Sequence, residues 1–176
     1  MLRRSCLAMM LALTVAGCNK NDSTTTTPAP VNVQPKFTAT LAPTNEVPPV
    51  TNADATGSGT ATITLTTTKD AAGNITAATA DFVVNLSGFP ANTTLTGAHI
   101  HQAAAGTNGS IVVNTTLANG AVVLTSGSTS FERLTITVTD PTIAQAIINN
   151  PANFYFNVHT TANTGGAVRG QLVRVN

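Results

Sequence analysis

Thr60-Ala61-Thr62-Ile63-Thr64-Leu65-Thr66 alternates polar and apolar residues without a break. A period of two sets Ala61, Ile63 and Leu65 on one side of an extended strand and the threonines on the other. The same alternation recurs along the chain. Phe37, Ala39 and Leu41 oppose Thr38 and Thr40; Leu134, Ile136 and Val138 oppose Thr135, Thr137 and Thr139. Phe82, Val84 and Leu86 form another such face, as do Phe154, Phe156 and Val158. Thr and Val suit a pleated surface because their branched Cβ is stiff and packs across strands. Asp70-Ala71-Ala72-Gly73-Asn74 separates two alternating runs and predicts a hairpin whose returning strand is Ile75–Leu86. Ser87-Gly88-Phe89-Pro90 and Asn108-Gly109 are further breaks. Strands are expected over Thr94–Gln102, Ser110–Leu117, Ala121–Thr125, Phe131–Thr139 and Val168–Val175. One segment has a different period. Asp140 is a helix cap, Pro141 suits the first helical position, and Ile143, Ala144, Ile147 and Ile148 recur at helical spacing until Asn149-Asn150-Pro151. The expected fold is all-β: a Greek-key-like antiparallel β-sandwich or barrel with one short inserted helix at about 141–150.

The start of the chain has another character. Arg3 and Arg4 precede a short apolar run, Cys6 to Leu13, and small residues then lead into Cys18. The run is too short to span a bilayer. Charge, apolar run and small residues in that order form a secretory leader. A cysteine directly after them resembles the bacterial lipobox. That resemblance implies a lipoprotein signal peptide over residues 1–17, acylation of Cys18, and tethering to a membrane by the lipid. Asn19 to Pro35, with Thr24-Thr25-Thr26-Thr27-Pro28-Ala29-Pro30 at its centre, has almost nothing to bury and reads as a flexible linker. The expected location is extracytoplasmic: Asn19 is not the aspartate associated with inner-membrane retention in some bacteria, which favours the outer membrane or cell surface.

Composition excludes several functions. Removing the leader takes Lys+Arg from 8 to 6, against 7 Asp+Glu, so the remaining chain carries about −1. A chain so poor in cations neutralises few phosphates, and nucleic acid is not an expected partner. Of the 2 cysteines, Cys6 leaves with the leader and Cys18 takes the lipid, so the core must hold without disulfides. No Gly-x-Ser-x-Gly turn is present, Gly57-Ser58-Gly59 opens a strand and not a helix, and the acids are scattered. No catalytic residue is nominated.

Three histidines carry the chemistry that remains. Ala98-His99-Ile100-His101 projects His99 and His101 from one strand face while Ile100 enters the core. On a later strand Tyr155, Asn157 and His159 lie opposite Phe154, Phe156 and Val158. Two readings stand: hydrogen-bonded strand histidines, or a three-nitrogen site for copper or zinc, both of which accept imidazole. They differ in whether the strand of His159 pairs beside that of His99. Glu46-Val47-Pro48-Pro49 and Arg169 are unusual in a chain with 9% charged residues. Consecutive prolines suit a sheet edge. Arg169 lies across Glu46 as a structural ion pair, or over the histidines.

Phe37-Thr38-Ala39-Thr40-Leu41, Glu46-Val47-Pro48-Pro49, Ala98-His99-Ile100-His101 with Gly106-Thr107-Asn108-Gly109, Tyr155-Phe156-Asn157-Val158-His159-Thr160 and Gly165-Gly166-Ala167-Val168-Arg169-Gly170-Gln171-Leu172 occur in that order. Together they resemble the CHRD domain, named for chordin, over residues 36–176. The resemblance implies an extracellular module without a settled biochemical role. The function expected is a lipid-anchored CHRD binding or scaffold module of the cell envelope with an unidentified envelope or extracellular partner. The alternative is a copper- or zinc-binding redox or metal-handling protein using His99, His101 and His159. A fainter likeness, to copper/zinc superoxide dismutase sandwiches, would make those histidines copper ligands and Arg169 an anion guide. The chain lacks that family's fourth copper histidine, zinc ligands and disulfide. Adhesion through a Thr/Asn face is a third class, which calls for exposed aromatics in a chain with 6 Phe and 1 Tyr.

Overall fold

The computed structural model describes residues 34–176. The leader, Cys18 and nearly all of the linker lie outside the described residues. Two antiparallel sheets face each other across one apolar layer. The first is ordered β10-β1-β2-β3-β7, from β1 (Lys36–Leu41), β2 (Ser58–Lys69), β3 (Ile75–Ser87), β7 (Thr129–Thr137) and β10 (Val173–Arg174). The second is ordered β5-β4-β8-β9, from β4 (Thr93–Gln102), β5 (Ser110–Asn114), β8 (Phe154–Thr160) and β9 (Val168–Gln171). The two-residue β6 (Val123–Leu124) pairs with the start of β4. Neither sheet closes on itself, so the fold is a β-sandwich and not a barrel.

The alternation read from sequence sets the inner face. Phe37, Ala39 and Leu41, then Ala61, Ile63 and Leu65, then Phe82, Val84 and Leu86 are all buried from the first sheet. Leu95, Ile100, Phe154, Phe156 and Val158 answer from the second. Phe82 and Phe156 stack between the sheets with ring centroids 5.7 Å apart. Such a pair adds about 0.5–1.5 kcal/mol beyond its buried area. The Asp70 turn forms as expected, its carboxylate accepting from the Ala72 and Asn74 amides. Helix α1 (Pro141–Asn149) begins at Asp140, whose side chain accepts from the Thr142 N–H, and buries Ala144 and Ile147. It packs on β3.

Four expectations need correction. The strand drawn over Val168–Val175 is two strands: β9 belongs to the second sheet and β10 to the first, and buried Leu172 marks the crossing. Leu134 does not share a face with Ile136 and Val138. A bulge sets Leu134 and Thr135 against the single residue Asp81, leaving Leu134 56% exposed. Asp81 Oδ1 accepts from the Thr135 N–H at 2.7 Å, so the bulge has its own acceptor. The run over Ser110–Leu117 contracts to β5, which ends just before Thr116 turns into the left-handed region at φ +57, and the run over Ala121–Thr125 contracts to β6, between Gly120 and Gly127 at φ +78 and +77. Pro48 and Pro49 occupy a loop, not a sheet edge.

Candidate metal centre

β4 and β8 are neighbours, with His99 opposite Asn157, His101 opposite Tyr155 and Gly97 opposite His159. This answers the pairing question that the sequence left open. A register shift between Leu95 and Gly97 resets the parity of β4 so that Ala98 and Ile100 face the core while His99 and His101 face outward. Gly97 then leaves the space opposite His159 open. A Cβ at Gly97 would stand 3.0 Å from His99 Cε1 and 3.4 Å from His99 Nε2, so the His99 ring leans over that bare backbone toward His159. Glycine inside a strand marks such close approaches.

The outer face of β8 is not a solvent face. Every residue from Phe154 to Thr160 is buried. Loops running through Glu46, Thr107 and Thr164 meet the side chains on this face, and His101 and His159 are each only 8% exposed. One candidate ligand nitrogen from each of His99, His101 and His159 lies within 4.8 Å of the other two.

Hydrogen bonds fix which nitrogen each ring offers. His101 Nδ1 lies 2.9 Å from the Gly109 carbonyl, and His159 Nδ1 lies 2.9 Å from the Thr164 carbonyl. A carbonyl only accepts, so both neutral rings carry the proton on Nδ1 and keep a lone pair on Nε2. His99 Nδ1 is 3.0 Å from His159 Nε2 and donates to it in the metal-free cluster. His101 Nε2 is buried with no partner. Burial lowers all three pKa values. His99 falls to about 4 through desolvation first, then the neighbouring His159 and His101 charges. His101 and His159 also fall, mainly by desolvation, against the hydrogen bonds to Gly109 and Thr164 that pull them upward. At neutral pH the cluster is three uncharged imidazoles, the form in which histidine binds a metal.

A tetrahedral zinc with Zn–N near 2.0–2.1 Å needs ligand nitrogens about 3.3 Å apart. The His99–His159 pair is already closer, so His101 makes most of the adjustment. The donor set fits zinc or copper: neutral nitrogen ligands, each of two rings oriented by a backbone carbonyl, and an orphaned lone pair at His101.

Glu46 and Arg169 do meet. Arg169 Nε donates to Glu46 Oε2 at 3.0 Å, with both side chains almost fully buried. The guanidinium also donates to the Thr107 carbonyl at 2.9 Å and to Asn108 Oδ1 at 2.8 Å. Its Cζ lies 4.3 Å above the Tyr155 ring, which in turn stacks on His101 at 4.9 Å with planes 4° apart. Of the two arrangements expected for Arg169 the ion pair with Glu46 forms, and the guanidinium lies over Tyr155 and not over a histidine. With these partners it is no free cation for steering an anion, as the dismutase likeness would require. Burial pushes the Glu46 carboxyl up, against the Arg169 guanidinium and Asn157 amide that pull it down. Asn157 had no assigned part in the sequence reading; its Oδ1 and Glu46 Oε1 are, with His101 Nε2, buried acceptors without a partner. Tyr155, Gly97, Gly109 and Thr164 were likewise not nominated. Gly97 alone carried a usable signal, a glycine interrupting a strand next to a histidine pair.

No curated protein and no solved structure matches the chain. The family model described as CHRD domain matches residues 37–172, about three-quarters of the sequence and nearly the whole described sandwich. That span takes in Glu46, all three histidines and Arg169, and the chain belongs to the CHRD-domain family.

Proposed function

We propose that this CHRD domain is an extracytoplasmic, lipid-tethered binding module whose ligand is a transition-metal ion, zinc or copper, held by His99, His101 and His159. The observation that carries the reading is His101 Nε2. Purely structural histidines would satisfy their buried nitrogens, and the His99–His159 bond does that for two of them. It leaves His101 Nε2 buried beside two other imidazoles and outside hydrogen-bond geometry, with the Asn157 side chain as its one polar neighbour, an arrangement that a cation would relieve. His101 and His159 present Nε2, and His99 presents Nδ1 once it takes the tautomer with its proton on Nε2. Three neutral ligands leave the charge of the ion uncompensated, which favours an additional water or anionic ligand. The lipid tether rests on Arg3, Arg4, the apolar run and Cys18.

Calorimetric titration of the purified chain with Zn(II) and Cu(II) tests the metal. Binding at about one equivalent, lost in both His99→Ala and His159→Ala, is expected. Absence of binding, or binding indifferent to both substitutions, overturns it.

A further inference from the structure

Two loops supply the carbonyls that set the histidine tautomers, and a single ion pair touches both. Arg169 donates to the Thr107 carbonyl and to Asn108 Oδ1, immediately before Gly109, whose carbonyl faces His101 Nδ1. The Gly109 N–H also donates to the Tyr155 hydroxyl at 3.3 Å, beneath the same guanidinium. On the other side the Glu46 carboxylate packs against Gly166. A Cβ on Gly166 would fall 2.5 Å from Glu46 Oε1, so this backbone position is open only to glycine. Gly166 lies two residues past Thr164, whose carbonyl faces His159 Nδ1.

We infer that the buried Glu46–Arg169 pair is a clamp that positions the histidine cluster, holding the Gly109 and Thr164 carbonyls so that His101 and His159 both keep the proton on Nδ1 and present Nε2. This rests on the metal reading for its purpose but not for its test. Glu46 and Arg169 are positioning residues: neither has a nitrogen or oxygen among the ligand atoms. Arg169 suits the role because its planar fork reaches the carboxylate, a carbonyl and an amide oxygen at once; a lysine ammonium lacks that fixed geometry. The Gly109 and Thr164 carbonyls are the outer-sphere partners themselves, whose loss changes metal affinity by about 10–100-fold, and the ion pair acts one step behind them.

The test is imidazole 15N NMR on the metal-free full-length chain, followed by Zn(II) calorimetry. In the wild type, Nδ1–H tautomers at His101 and His159 are expected. Arg169→Lys and Glu46→Gln should give exchange-averaged tautomers and Zn(II) binding about 10–100-fold weaker. Asn108 is exposed, so Asn108→Ala should fold even where the buried substitutions do not. It removes the Arg169–Asn108 bond on the Gly109 side, together with the Asn108 Nδ2 bond to the Val47 carbonyl, and leaves the Glu46–Gly166 contact and the Thr164 carbonyl in place, so it should disturb His101 more than His159. Unchanged tautomers in folded Arg169→Lys or Glu46→Gln, or an unchanged His101 in Asn108→Ala, overturn the clamp. If the wild type binds no Zn(II), the metal reading fails, and the tautomer spectra still decide the clamp.

Discussion

Gly97 shows how one missing side chain can decide a site. It stands opposite His159, and the His99 ring occupies the space a Cβ would need. Gly97→Ala should swing His99 away from His159 and weaken Zn(II) binding at least tenfold, while the chain stays folded because the position has ordinary strand backbone. Calorimetry beside circular dichroism checks both halves. Acid acts on the same residue. An unfolded imidazole titrates near 6.5, and folded His99 near 4. Between those values the unfolded chain binds the extra proton, so stability falls as pH drops from about 6.5 toward about 4 and loses nothing more from His99 below that. Glu46, raised by burial, works the other way as it protonates. The contribution of His99 is therefore read as the difference between wild type and His99→Ala. Urea midpoints of the two should converge as pH falls from 7 to 4.5; a constant gap contradicts the assignment.

At the scale of elements, the period of two made most strands legible, because each needs one face buried and one polar. The helix was legible from the Asp140 cap, Pro141 and a four-residue recurrence. What the sequence concealed were the places where two strands share one run or one strand changes parity. In Val168–Val175 the apolar parity switches between Leu172 and Val173, a break that a single strand with an irregularity would also show, and Leu172 is where the chain leaves the second sheet for the first. Leu172 donates its N–H to the Phe154 carbonyl and is 1% exposed, whereas Val173 is 58% exposed. Leu172→Ala should cost about 2–5 kcal/mol in urea unfolding. Val173→Ala should stay within about 0.5 kcal/mol, as surface changes do. The bulge at Leu134–Thr135 escaped notice for a related reason: its cause is Asp81, 54 residues away and hydrogen-bonded to Thr135.

At the scale of the whole molecule, the candidate site is a product of topology. His99 and His101 lie about 60 residues before His159, and only the β4–β8 pairing brings the three together. The residue types and the outward face were readable; the carbonyls of Gly109 and Thr164 were not, since any residue supplies a carbonyl. The same logic extends to the N-terminus. The sandwich starts at Lys36 with its ladder already extended by the Pro35 carbonyl, which accepts from the Leu65 N–H. Pro-rich chain spans about 3 Å per residue, so under the proposed lipid tether on Cys18 a linker of the length of Asn19–Pro35 would reach roughly 50 Å when extended. A single acyl chain anchors weakly and reversibly, whereas several together hold firmly. Cys18→Ser should therefore move the protein from the membrane pellet to the soluble extracytoplasmic fraction while leaving its metal titration unchanged, because no histidine ligand lies near the tether in sequence. Absence of labelled fatty acid in the wild-type chain, or equal labelling of Cys18→Ser, would overturn lipid anchoring. Loss of metal binding in the released protein would show that the site depends on more than the sandwich.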